Sequence, residues 1–200
     1  MRTTLFTASR LCLTLFLVAN VFITSKAQTN WVGITNTTPK LPTITIPSTN
    51  YKATTVTISI EGYLATAVNT PQGEQYIISL PNATQILQAG APDLPKLAIP
   101  VIISDNQNTT VTVAAFDYID IPMAAPVAPS KGSLSRQINP ADVPFTYGAA
   151  YNKSAFYPEE IATLRKPYIL RDFRAQTLIV HPFQYQPKTQ TLRIYTNLTL

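Results

Sequence analysis

A short polar stretch at 129–137 holds the residues with the clearest chemical potential in this sequence. It reads PSKGSLSRQ and lies inside a segment with five prolines and little hydrophobic periodicity, 122–145. A long irregular loop in a compact domain is usually functional or disordered. Such a loop can enter a partner's cleft, where an acidic pocket residue would hold the guanidinium of Arg136 through paired hydrogen bonds. The candidate loop residues are Lys131, Gly132, Ser135 and Arg136.

A second basic cluster follows the loop and is flanked by Tyr168 and Phe173. One interpretation is a set of solvated strand faces and loop ends. The other is a docking surface for an acidic partner, because complementary charge orients an approaching partner and raises the association rate. The cations in question are Arg165, Lys166, Arg171 and Arg174.

Residues for catalysis or metal binding do not form a recognisable set. His181 is the only histidine, and a hydrolytic triad needs a base that a third group orients. The only cysteine, Cys12, falls in the N-terminal apolar segment. No His/Cys/Asp spacing suits a metal, and glycine is too scarce for a phosphate-binding loop. We therefore predict no catalytic residue, no metal site and no cofactor.

The N-terminus has the pattern of a secretory signal peptide. Arg2 and Arg10 are followed by an apolar run at 11–23, and small residues at 25 and 27 predict cleavage after Ala27. The run is shorter than the ~20 residues that a membrane-spanning helix needs. We expect a secreted or cell-surface protein with no stable membrane span after cleavage. The lack of a cysteine after residue 27 fits bacterial export.

Removal of this segment changes the charge balance. The full sequence has 15 Lys and Arg, 10 Asp and Glu and a net charge of +5. Three of the basic residues lie in 1–27, so 12 remain against 10 acids, a net charge of +2. Nothing in that balance predicts binding to nucleic acid.

Short strands must position these residues. Alternation predicts strands at 55–60, 75–80, 96–104, 110–119, 168–170, 176–185 and 191–200, with one helical turn at 159–164. We expect hairpins between 96–104 and 110–119 and across the turn at 187–190. The Thr/Asn/Pro-rich stretch 28–52 reads as an extended leader with an edge strand at 43–46. The predicted fold is an all-β antiparallel sandwich over 53–200, whose last strand is cut off at the C-terminal end.

Several short runs of this sequence keep the order and spacing that they have in a known family. The chain resembles the propeptide of gingipain-type secreted cysteine proteases of Bacteroidetes. GAPDLP at 90–95 looks like the Gly-x-Pro-x-Leu-Pro turn of that family. The other matching runs are APSKG at 128–132, LSR at 134–136, YG at 147–148, IATL at 161–164, YILRD at 168–172, QY at 184–185 and TLRIYT at 191–196.

The resemblance implies a function and a partner. In that family the propeptide is a β-sandwich that helps its protease to fold and blocks the active-site cleft until it is cut away. A basic loop residue fills the specificity pocket, and the matching residue here is Arg136. The implied partner is the catalytic domain of a gingipain-like cysteine protease, which this segment would restrain either in cis or in trans.

A different kind of function remains open from the residues alone. The aromatics Tyr147, Tyr151, Phe156 and Tyr157 lie close together in an exported β-rich chain. Such a set would suit an adhesion or carbohydrate-binding module. A role for these rings in the core is the simpler interpretation.

Overall fold

The computed structural model describes residues 29–50, 52–106 and 108–200, so the predicted signal peptide lies outside it. The described residues form β-strands and two short 3-10 helices. The strands are β1 (Thr29–Gly33), β2 (Thr43–Thr49), β3 (Thr54–Ser59), β4 (Gly62–Thr70), β5 (Gly73–Ser79), β6 (Thr84–Gln85), β7 (Pro95–Ile102), β8 (Ala115–Pro122), β9 (Ala162–Leu164), β10 (Tyr168–Leu170), β11 (Phe173–Val180), β12 (Phe183–Gln186) and β13 (Thr191–Thr199). The 3-10 helices span Pro140–Asp142 and Ala149–Asn152.

Three sheets share these strands, and each pairing between named strands is antiparallel. The first sheet has the order β1-β4-β5, the second β10-β11-β7-β6 and the third β12-β13-β3-β2. Two further strands lie off these paths, with β9 beside β11 and β8 beside β13. The prediction of an all-β antiparallel fold is confirmed.

Alternating residues of the strands fill one core. In β3 the side chains of Val56 and Ile58 are buried, as the period-2 pattern predicts. In β13 the buried positions include Leu192 and Ile194. The rings of Tyr63 and Phe183 meet edge to face with centroids 5.8 Å apart. Within the described residues, no helix has the length and apolar character that a membrane span requires.

The C-terminal hairpin is confirmed for β12 and β13 only, because the strand predicted at 176–185 divides into β11 and β12, which lie in different sheets. The hairpin between 96–104 and 110–119 is wrong. β12 pairs with β13 across the turn at 187–190. β7 instead pairs with β11 and β6, while β8 crosses to the third sheet and pairs with β13. Turn-forming residues after β7 end that strand. Turn residues do not determine which strand pairs with β7, because that pairing depends on the apolar faces of strands far away in the sequence.

The helical turn predicted at 159–164 is also wrong. Its second half is β9, which pairs with β11. Residues 158–161 bond to the 181–184 segment, since the carbonyl of Pro158 accepts from Gln184 Nε2 at 2.7 Å and the carbonyl of Ile161 accepts from the His181 amide at 2.7 Å. Pairing with β11 therefore overrides the local preference of Pro158 for a first helical position.

The leader contains more regular structure than its composition indicates. The strand predicted at 43–46 exists as β2, and β1 precedes it. β1 pairs with β4, and the ring of Trp31 lies against Gly62, where a Cβ would come within 2.3 Å of the indole. Trp31 Nε1 donates to the Asn36 carbonyl at 3.0 Å. The absence of a side chain at Gly62 is what lets this ring dock, which composition alone does not reveal.

Candidate functional site

The candidate loop begins as a buried strap. Residues 127–130 are buried, with Val127 and Ala128 completely so. The Ala128 amide donates to the Tyr76 carbonyl at 2.8 Å, and the Asp93 amide donates to the Ala128 carbonyl at 2.9 Å. Ser130 continues the pattern, since its amide donates to the Ala91 carbonyl at 2.8 Å. The strap is thus fixed between β5 and the 90–93 turn, and the loop leaves the body from a rigid base.

Two tyrosines hold the returning arm of the loop. The hydroxyl of Tyr151 donates to the Val127 carbonyl at 2.8 Å, and that of Tyr147 bonds Thr70 Oγ1 and Gln75 Oε1 at 3.0 Å each. Their rings meet edge to face with centroids 5.0 Å apart. Burial raises the pKa of the Tyr151 phenol, so it remains a hydrogen-bond donor at neutral pH.

Lys131 braces the two arms. Its Nζ donates to the Pro140 carbonyl at 2.6 Å and lies 4.3 Å from the centroid of the Phe145 ring. Gly132 follows with φ of +82°, and its amide donates to Ser130 Oγ at 3.2 Å. A Cβ on Gly132 would lie 3.0 Å from that of Ala89, so this backbone path favours glycine.

Arg136 lies at the tip. A turn spans Ser135 to Ile138, closed by the Ile138 amide donating to the Ser135 carbonyl at 3.0 Å. Asn139 then caps the 3-10 helix at Pro140–Asp142 through Oδ1, which accepts from the Ala141 amide at 3.1 Å. Arg136 is exposed, and no described residue bonds its guanidinium. Of the two loop cations, Lys131 is engaged within the domain and Arg136 is available.

The second basic cluster also contains both a side chain that is bonded within the domain and side chains that are exposed. Arg174 Nη1 donates to the Ser104 and Asp105 carbonyls at 2.7 and 3.0 Å, so this side chain fastens the 104–105 turn. Arg171 is exposed at the β10–β11 turn with φ of +54°. Arg165 and Lys166 are exposed on the connection between β9 and β10.

Exposed apolar side chains lie on the two strands that flank the turn at Arg171, with Ile169 on the opposite face of the hairpin from Leu170 and Phe173. The exposed fractions of these side chains are high for apolar residues. The residues belong to the β10–β11 hairpin and to the adjoining end of β7. The set comprises Ile102 at 67%, Ile169 at 69%, Leu170 at 61% and Phe173 at 57%. The structure therefore adds Ile102 and Leu170 to Phe173, which the sequence had already placed beside the basic cluster.

The aromatic cluster considered as a ligand site makes internal contacts. Besides the two tyrosines of the loop, Tyr157 exchanges two backbone hydrogen bonds with Tyr185, at 2.8 and 2.9 Å. The ring of Phe156 is covered by the guanidinium of Arg193 at 4.2 Å. These four aromatic residues make contacts within the domain, which supports the interpretation that they are structural.

His181 has a structural environment. Its Nδ1 lies 2.8 Å from the Glu160 carbonyl, and burial lowers the pKa of its imidazole. Among the described residues, no group of three or more His, Cys, Asp or Glu side chains could hold a metal.

Comparisons with known proteins bear on the family and the fold of the chain. The family model Propeptide_C25 matches residues 35–200. Gingipain R1 of Porphyromonas gingivalis is 38% identical over 133 residues, covering 66% of this chain and 13% of the relative. Gingipain R2 of the same species is 39% identical over 133 residues, covering 66% and 18%. Lys-gingipain is 24% identical over 138 residues, covering 66% and 8%. The chain thus spans less than a fifth of each of these relatives.

Two solved structures share the fold. One is the complex of Porphyromonas gingivalis RgpB pro- and mature domains, with a TM-score of 0.76, 35% identity and coverage of 80% of this chain and 84% of that chain. The other concerns the zymogenic latency of gingipain K from the same species, with a TM-score of 0.69, 22% identity and coverage of 86% and 97%. The second likeness bears on the fold alone.

Proposed function

Since this chain belongs to the Propeptide_C25 family, the propeptides of gingipain-type proteases, we propose that it keeps such a protease latent by occluding its active-site cleft. Arg136 enters the specificity pocket as a substrate mimic. The partner is the catalytic domain of a gingipain-like cysteine endopeptidase, restrained in cis or in trans. The segment itself contributes no catalytic group.

The observation that carries the proposal is the contrast between Arg136 and Lys131. A side chain that fills a partner's pocket must be exposed and free of competing bonds. Arg136 meets both conditions, whereas Lys131 is bonded to the Pro140 carbonyl and the Phe145 ring. Arginine also presents a planar fork that binds a carboxylate in a bidentate manner.

The braced loop base explains how a substrate mimic could inhibit. The strap at 127–130 and the Tyr151 hydroxyl fix the arms of the loop before binding. A preorganised loop loses little conformational entropy on association, so more of the contact energy appears as affinity. A rigidly held arginine would bind without adopting the geometry for rapid cleavage.

We propose the patch around Arg171 as a secondary contact with the same partner. Exposed apolar side chains with a basic border are typical of a protein interface. Phe173 and Leu170 would contribute the apolar centre, while Arg165 and Lys166 would steer an acidic partner. Contact over such a surface would also assist folding of the protease domain. Secretion, or display at the surface of a bacterium, follows from the predicted signal peptide.

Inhibition of the mature domain of Porphyromonas gingivalis RgpB by the purified chain tests the proposal. We expect the Arg136→Ala variant to inhibit about 30- to 1000-fold more weakly, as for a charged anchor at the centre of an interface. Lys131→Ala serves as the matched control, because it removes a cation from the same loop. It should cost less than about tenfold. Equal inhibition by the wild type and Arg136→Ala would refute the role of Arg136.

A further inference from the structure

A cavity of about 310 Å³, open to solvent, is lined by both arms of the candidate loop. Its walls come from β4, β5, the 87–93 segment and both arms of the loop. Since a water molecule occupies ~30 Å³ in the liquid, the space is large enough for a long side chain. Apolar groups form most of the wall, namely Val68, Ile77, Leu87, Leu134, Pro140, Ala141 and Phe145, and the polar lining is Asp93, Ser130, Lys131 and the backbone of Gly132.

The carboxylate of Asp93 is the unusual element of this cavity. Its Oδ1 is buried and has no hydrogen-bond partner among the described residues. Burial raises the pKa of the Asp93 carboxyl to about 6, so the group is mostly ionised at pH 7.5 and inadequately solvated. Buried polar atoms almost always find a partner, and one that lacks it requires an explanation.

Three donors in the surroundings of Asp93 bond to other groups. The phenols of Tyr151 and Tyr157 lie close enough for their ionisation to be disfavoured by this carboxylate. The Tyr151 hydroxyl donates to the Val127 carbonyl, and the Tyr157 hydroxyl donates to Gln88 Oε1 at 3.0 Å. Lys131 also lines the cavity, but its Nζ is bonded to the Pro140 carbonyl. Among the described residues, no lysine or arginine therefore forms an ion pair with Asp93.

We propose that this cavity receives a basic side chain of the protease domain, whose ammonium or guanidinium group pairs with Asp93. The apolar walls suit the methylene stem of a lysine or arginine, which packs on apolar surface while its charge seeks a counter-ion. The inference rests on the proposed function, because that function brings the partner to this face. Leu134 and Pro140 lie on either side of the Arg136 turn, so a partner that takes up Arg136 also covers the cavity. Each partner then inserts one basic side chain into a pocket of the other.

Removal of the charge by Asp93→Asn gives opposite expectations for stability and for binding. The isolated variant should unfold at the same or a higher denaturant concentration than the wild type, since a desolvated charge has been removed. Its affinity for mature RgpB at pH 7.5 should fall about 10- to 100-fold, because the partner's cation loses its counter-ion. Asp105→Asn, in an exposed turn away from the cavity, should change neither quantity.

The pH dependence of the same ratio tests the inference further. A cation that binds Asp93 favours its ionised form, so the wild-type complex should weaken as the pH falls below about 6. The ratio of wild-type to Asp93→Asn affinity should fall about five- to tenfold between pH 7.5 and pH 5, because the carboxyl of the free chain becomes protonated over this range. Taking the ratio cancels the titration of groups in the protease itself.

The outcomes separate this inference from the function on which it rests. A wild-type chain that fails to bind mature RgpB would overturn the proposed function and this inference together. A wild-type chain that inhibits, with Asp93→Asn binding equally or more tightly at pH 7.5, would refute the cavity's role alone. In that case the carboxylate would be solvated or protonated within the domain.

Discussion

Replacement of Gly132 by alanine should destabilise the domain and weaken its inhibition at the same time. Gly132 has φ of +82°, a region where an L-residue with a Cβ costs roughly 1–2 kcal/mol. The added Cβ would also lie 3.0 Å from Ala89 Cβ, and relief of such a contact in a packed site costs about 1 kcal/mol or more. We therefore expect the free energy of unfolding to fall by about 2–4 kcal/mol.

Gly73→Ala provides the matched control for the backbone contribution. Gly73 has φ of +105°, but a Cβ there would meet no atom within 4 Å. Its replacement should cost only about 1 kcal/mol, since alanine also restricts the unfolded chain. The double variant Ala89→Gly/Gly132→Ala should recover the contact part of the loss and leave the backbone part.

Urea unfolding of these variants, followed by inhibition of mature RgpB, supplies the two measurements. Gly132→Ala should inhibit about tenfold more weakly under conditions where it remains folded, because the arm that begins at Lys131 is displaced and preorganisation is lost. Gly73→Ala should inhibit like the wild type. Equal unfolding energies for Gly132→Ala and the wild type would refute the left-handed conformation at this position.

Two further substitutions test other parts of the structure. Tyr151→Phe leaves the buried Val127 carbonyl without its 2.8 Å donor, so urea unfolding should show a loss of about 1–3 kcal/mol; an unchanged midpoint would contradict that bond. Asp120 accepts two bonds from Arg193 at 2.8 Å, which hold the pKa of its carboxyl below the ordinary value. Its stabilising contribution, below about 1 kcal/mol for so exposed a pair, should be present near neutral pH and disappear as the pH falls below about 4. Asp120→Asn should be less stable than the wild type at pH 6 and equal to it near pH 2; a constant difference would contradict this origin.

Local patterns predicted the strands well where one face is buried. The alternation of Val56 and Ile58 located β3, and the apolar and turn residues around 187–190 located the last hairpin. The partners of β7 and β8 could not be predicted in this way, because pairing depends on which distant faces complete the core. β4 (Gly62–Thr70) was missed, since its alanines and small polar residues weaken the alternation.

The composition of the sequence indicated the candidate loop, but it did not indicate which loop side chains bond within the domain. Proline content and two cations indicated the segment, and the resemblance indicated Arg136. Lys131 is bonded within the domain and Arg136 is not. This difference depends on the position of the Pro140 carbonyl, which cannot be read from the sequence. Asp93 was visible only as part of the 90–95 turn, because its burial and missing partner arise from contacts between segments far apart in the chain.

Binding to a blocked protease tests the central claim most directly. Mature RgpB would first be modified covalently with an arginine-derived ligand that fills its specificity pocket, and the dissociation constant of the chain would then be measured for the free and the blocked protease. The proposed function predicts that the wild type binds the blocked form about 30- to 1000-fold more weakly, and that Arg136→Ala binds both forms alike. Equal affinity of the wild-type chain for the free and blocked protease would contradict occlusion of the cleft by Arg136.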